Sequence, residues 1–221
     1  MKKSITGVVA LLAGAFAAHS QGTVSFANYS SLSTYIYVSL KSGSTVTPLG
    51  GASGAATGSS SADVGLGNNW TVALYGNSGS GDAASTLVQL TTDGTTPVTA
   101  TMANGTSDGV AGTWFSTAVG EVPGTTLAGQ PATVQVYAWY NDGGTATTLA
   151  AAQAKGFPTG FSATGNVTTG GPNTGLPPSF PAGLPATLGN FNVTSTIPEP
   201  STVALGVMGA SAFLLRLRKK Q

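Results

Sequence analysis

ATVQVYAWY, residues 132–140, decides the fold. The stretch holds no glycine, no proline and no charge. Its side chains split into two alternating sets, Val134, Val136, Ala138 and Tyr140 against Thr133, Gln135, Tyr137 and Trp139. A period of two places these sets on opposite faces of a strand, and β-branched and aromatic residues suit a pleated surface. Neither set carries a charge, so both faces can be covered and the strand belongs in the interior of a sheet.

The same pattern recurs on either side. Trp70, Val72 and Leu74 share one face and Thr71, Ala73 and Tyr75 the other. Further strands are predicted over 23–28, 33–40, 86–90, 97–102, 114–116 and 188–194. Turn chemistry separates them: Asn77-Ser78-Gly79, Asp93-Gly94, Asn104-Gly105, Asp108-Gly109 and Asn141-Asp142-Gly143-Gly144. Only residues 148–155 (TLAAAQAK) have a helical composition. Many short strands without intervening helices predict an all-β domain of β-sandwich or jelly-roll type over residues 21–196. Two stretches inside it read as irregular. Residues 50–67 are rich in Gly, Ser and Ala and read as a long loop. Residues 170–187 contain Pro172, Pro177, Pro178, Pro181 and Pro185 and read as extended and partly polyproline-like.

Composition narrows the chemistry. Only 7% of the 221 residues are charged, against roughly 25% in an ordinary soluble domain. Six of the eight basic residues lie near the two ends, at Lys2, Lys3, Arg216, Arg218, Lys219 and Lys220. The middle keeps Lys41 and Lys155 against Asp63, Asp82, Asp93, Asp108, Glu121 and Asp142, two cations against six acids, a net of −4. No basic face exists there for nucleic acid. Cysteine is absent, and the one histidine is His19. Thiol nucleophiles, thiolate metal sites and imidazole-driven triads therefore have no residues to work with once His19 is removed. A two-carboxylate glycosidase has enough acids, but four of the six lie in or beside Gly-rich turns, where Asp serves the backbone. Calcium, a ligand for hard oxygens, could use Asn141-Asp142 or Asp108, although no D-x-D-x-D-G series is present. Trp70, Trp114 and Trp139 fall within alternating strands, which predicts core packing rather than sugar stacking. Asn-x-Ser/Thr triplets at Asn28, Asn69, Asn104, Asn166 and Asn192 are what a Thr-rich chain generates by chance. No catalytic residue, metal ligand or cofactor is expected.

Residues 1–20 read as a secretory signal peptide. Lys2 and Lys3 make the positive region, residues 5–18 the apolar one, and Ala18-His19-Ser20 the small-residue site for signal peptidase. Cleavage falls between Ser20 and Gln21, with a rival position after Ala17. Residues 197–221, IPEPSTVALGVMGASAFLLRLRKKQ, form a separate unit. Residues 203–215 carry no charge and span about 20 Å as a helix, short of the roughly 30 Å of a bilayer's hydrocarbon core. Ser201 and Thr202 at the interface, Leu217, and a snorkelling Arg216 extend that reach, so residues 201–217 are predicted as a short membrane helix. Pro200 suits the first turn, and Glu199 the positive end of the helix. Arg216, Arg218, Lys219 and Lys220 would hold the basic end, residues 216–220, in the cytoplasm, leaving the domain outside.

Pro198-Glu199-Pro200, an apolar helix and a basic cluster within 25 residues resemble a PEP-CTERM sorting signal. The resemblance covers residues 197–221 alone. It implies a Gram-negative exporter of extracellular polysaccharide and recognition of the tail by exosortase, a membrane-embedded cysteine transpeptidase-like enzyme that cuts near the Pro-Glu-Pro. The expected protein is thus an exported, non-enzymatic surface or matrix component, held transiently in the inner membrane. The alternative is a carbohydrate-binding module for exopolysaccharide that uses exposed aromatics and calcium.

Overall fold

The computed structural model describes residues 21–28, 35–42, 44–49, 69–103, 112–173 and 176–194. Within them the chain is all-β apart from short helical turns. The strands are β1 (Thr23–Ser25), β2 (Val38–Ser42), β3 (Thr45–Pro48), β4 (Trp70–Ser78), β5 (Val88–Gln89), β6 (Thr99–Thr101) and β7 (Val119–Glu121). After them come β8 (Pro131–Tyr140), β9 (Thr159–Phe161), β10 (Gly165–Thr168), β11 (Gly171–Asn173), β12 (Leu176–Ser179) and β13 (Phe191–Thr194). One α-helix, α1 (Leu149–Ala154), separates β8 from β9 among the described residues.

The two strongest alternating stretches pair with each other. β4 and β8 run antiparallel from Trp70 opposite Tyr140 to Ser78 opposite Ala132. Each then carries two short strands on its free side. β10 pairs with the first part of β8 and β9 with the last, while β6 and β5 divide β4 in the same way. From β9 the sheet continues through β13 and β2 to β3, making nine strands, with β13 and β2 parallel and the other pairs antiparallel. β1 pairs with β7 and β11 with β12 as separate two-stranded ribbons.

Alternation dictates where the core sits. Trp70, Val72 and Leu74 of β4 and Val134, Val136, Ala138 and Tyr140 of β8 form one apolar cluster with Val38, Leu40, Phe191 and Val193. Val24 and Phe26 from the β1 segment, Val122 beyond β7, and Trp114 belong to the same cluster. β7 approaches so closely that a Cβ on Gly120 would lie 2.9 Å from Leu90 Cδ1 and 3.4 Å from Leu74 Cδ2. The Trp114 indole N–H donates to Phe26 O at 2.9 Å, with the two rings 5.4 Å apart. All three tryptophans are buried. Burying each large apolar side chain contributes about 1.5–3 kcal/mol, so this contiguous layer dominates the stability of the fold.

The proline-rich stretch, read as extended and partly polyproline-like, makes backbone pairings that its sequence does not announce. Residues 170–187 do not run free: β11 and β12 pair within them. Backbone hydrogen bonds link Thr23 with Gly170 and Ser25 with Ala182. Gly170 makes this possible, because a Cβ there would collide with the backbone of Phe180. Prolines are tolerated where no ladder N–H is required of them. Residues 50–67, read as a loop, lie outside the described residues, as do the stretches read as a signal peptide (1–20), a membrane helix (201–217) and a basic end (216–220). Among the described residues no helix is long and apolar enough to cross a membrane.

Candidate functional site

The opposite face of the β4–β8 pair is built differently. Register places Thr71, Ala73, Tyr75 and Asn77 of β4 beside Trp139, Tyr137, Gln135 and Thr133 of β8. Both ends of this outer face are closed by loops. At one end the Trp139 indole N–H donates to Ala146 O at 2.9 Å, and Trp139 packs with Ala73, Ala146 and Ala152. Thr148 caps α1 there by accepting from Ala151 N at 3.1 Å. At the other end Thr133 Oγ1 accepts from Asp82 N at 3.1 Å and donates to Gly79 O at 3.0 Å. Asn166 Oδ1 accepts from Gly81 N at 3.0 Å and fixes the same loop.

Between these ends runs a row of three aromatic rings from three neighbouring strands. Tyr75 and Tyr137 have centroids 4.5 Å apart, and Tyr137 and Phe161 5.6 Å. The rings tilt at 50° and 43° to one another, ordinary geometry for interacting aromatics. Phe161 is 59% exposed, and both tyrosines are half-buried. Burial raises both phenol pKa values, and at Tyr75 the neighbouring Tyr137 adds to the effect. Both hydroxyls therefore remain protonated at neutral pH, able to donate and to accept. Neither takes part in a hydrogen bond among the described residues. Beside them Gln135 donates its amide N–H to Ser162 O at 2.7 Å, while its Oε1 is buried without a partner. A buried acceptor left in that state costs stability, about 1–3 kcal/mol by analogy with mutational series. In the register rows that carry the three rings, no side chain of β4, β5, β6, β8 or β9 is charged.

Two carboxylates of the sequence reading, Asp93 and Asp142, are engaged within their own turns. Asp93 Oδ1 accepts from Thr96 N at 2.6 Å, Thr95 N at 3.0 Å and Thr95 Oγ1 at 2.9 Å, closing its own turn. These bonds, from Thr96 N first, pull its pKa down to about 2. Asp142 stands at φ 53° and its Oδ2 accepts from Thr145 Oγ1, while Asn141 Oδ1 accepts from Gly144 N. Both serve the turn that joins β8 to α1. Glu121 lies in β7 and Asp82 in the loop after β4; Asp63 and Asp108 lie outside the described residues. Among the described residues no three His, Cys, Asp or Glu side chains come together as metal ligands.

Of the sorting and processing residues, Gln21 is described, half-buried just before β1. Ser20, Pro198, Glu199, Pro200, Arg216, Arg218, Lys219 and Lys220 lie outside the described residues. The sequence set Tyr75 on the face opposite Trp70 and Tyr137 on the face opposite Val134, without marking either face as outward, and gave no sign of Phe161. Its strand, Thr-Gly-Phe, is three residues long, and only register brings it beside Tyr137. No family model, curated protein or solved structure matches the chain.

Proposed function

We propose that this chain is an exported, non-enzymatic surface or extracellular-matrix protein, delivered by an N-terminal signal peptide and sorted by exosortase through its tail. One observation carries the reading: Pro198-Glu199-Pro200, the uncharged residues 203–215 and the basic cluster Arg216, Arg218, Lys219 and Lys220 follow one another in that order. The prolines fix φ at two positions and bias their neighbours away from helix, so the motif presents an extended site outside the membrane. Glu199 supplies its single charge. The ectodomain is a two-layer β-sandwich of jelly-roll-like form, a reading supported by the joint burial of Val24, Phe26 and Val122 with the inner side chains of β4 and β8. Its role as a structural or binding layer fits a mature chain without His or Cys. The test is Glu199→Ala in a host that possesses exosortase. The variant should stay in the inner-membrane fraction while the wild type reaches the surface, and equal surface delivery of both would refute sorting through the motif.

A second reading, a carbohydrate-binding module, is favoured by the aromatic row on the outer face. Sugar rings pair an apolar C–H face with hydroxyls around the rim, and the row offers ring faces next to polar groups. Calcium gains no comparable support, since Asn141 and Asp142 are engaged within their own turn.

A further inference from the structure

We propose that Tyr75, Tyr137 and Phe161 form a stacking floor for a short segment of neutral polysaccharide, with the two phenol hydroxyls and Gln135 Oε1 as its polar contacts. The proposal rests on the carbohydrate-binding reading and adds a site, a ligand class and a length. Three independent observations converge on this one patch. First, Phe161 is 59% exposed beside the Tyr137 ring and extends the aromatic surface of the two tyrosines. An exposed phenyl ring on a strand is a cost that a ligand can recover. Second, the Tyr75 and Tyr137 rings lie 4.5 Å apart, and neither hydroxyl makes a hydrogen bond among the described residues. The hydroxyls suit a ligand that brings its own donors and acceptors. Third, Gln135 is 2% exposed with an unsatisfied Oε1, and register sets it directly opposite Tyr75. That acceptor is the one buried polar atom of this face left without a donor, and a ligand O–H reaching it would satisfy it.

The class of ligand follows from what the patch lacks as well as from what it holds. The register rows hold no cation, and Lys155 beside Phe157 at one end is engaged with Thr145, so a carboxylated glycan would lose hydration at the rings with little repayment. A neutral pyranose loses nothing of that kind. The outer ring centroids are separated by at most about 10 Å, given the two spacings of 4.5 and 5.6 Å, so one or two sugar rings span the row. The loops pinned over Trp139 and Thr133 bound the floor on both sides, which favours internal chain segments crossing the sheet over a deep end-on pocket. No bond is made or broken, and the site is one of binding only.

Affinity electrophoresis of the full chain in mild detergent tests this, using hydroxyethylcellulose, xylan and dextran as neutral probes and alginate as the anionic one. At least one neutral probe should retard the wild type and alginate should not. Phe161→Ala, which removes an exposed ring, should weaken retardation about tenfold. Tyr75→Phe and Tyr137→Phe keep the rings but lose the hydroxyls, and should weaken it several-fold each. Circular dichroism unchanged from the wild type shows that each variant is folded. Retardation by a neutral probe that all three variants retain would overturn this site while leaving the carbohydrate-binding reading in place. Retardation by alginate alone would overturn the ligand class. Retardation by none of the probes would overturn both the site and the reading beneath it.

Discussion

Asp93 shows how one residue type can suggest chemistry in a sequence and do structural work in the fold. Its carboxylate collects two backbone N–H groups and two threonine hydroxyls within four residues of chain. Its proton is bound at about 2 instead of the ordinary 3.8, so folding favours the ionised form. That contribution is present above about pH 4 and is lost as pH falls through about 2. Asp93→Asn should therefore lower the melting temperature near pH 6 and match the wild type near pH 2, as followed by thermal scans across that range. A melting temperature equal to wild type at pH 6 would mean the turn does not depend on the charge. Asn28 makes the same point with a neutral group. Its amide both donates to Ile36 O at 2.8 Å and accepts from Ile36 N at 2.9 Å, closing the chain across residues 29–35. In the sequence it is one of five undistinguished Asn-x-Ser/Thr triplets.

Elements differ in how far their sequences announce them. β4 and β8 were legible from the alternation over residues 70–75 and 132–140, although β4 runs on to Ser78 through residues whose sequence reads as a turn. α1 was legible from its alanines, while the cap that Thr148 supplies was seen only in the fold. β3, β7, β9, β10, β11 and β12 were not. Stretches such as VGE, TGF, GPN and LPPS are too short for a period and contain the residues that usually end strands. They exist because a neighbour's backbone supplies the ladder, which is tertiary information. β9 matters most among them, as it places Phe161 in the candidate site and joins β8 to β13. The join depends on Gly160, where a Cβ would collide with Asn192 O and lie 2.8 Å from Val193 Cα. Backbone cannot yield as a side chain tip does, so Gly160→Ala should cost at least about 1–3 kcal/mol. Urea unfolding should show a lower midpoint for this variant and an unchanged one for Gly183→Ala, whose added Cβ meets nothing within 4 Å. Equal midpoints would mean that β13 does not seat on β9 as described.

On the scale of the whole molecule, charge is unevenly distributed. The described domain turns one face of its main sheet into a core and leaves a neutral aromatic row on the other. Most of the basic residues are gathered outside it, near the two ends of the sequence. On the proposed reading, the segments that flank the domain direct its placement. That division accounts for a tail whose composition has nothing in common with the sheet it follows. The account stands or falls on whether the tail is removed. Intact-mass measurement of the protein released from the surface of a host with exosortase is the direct test. The account predicts a chain that begins near Gln21 and ends close to Pro198-Glu199-Pro200, lacking the apolar run and the basic cluster. Released protein that still ends at Gln221 would contradict it and make the tail a permanent anchor.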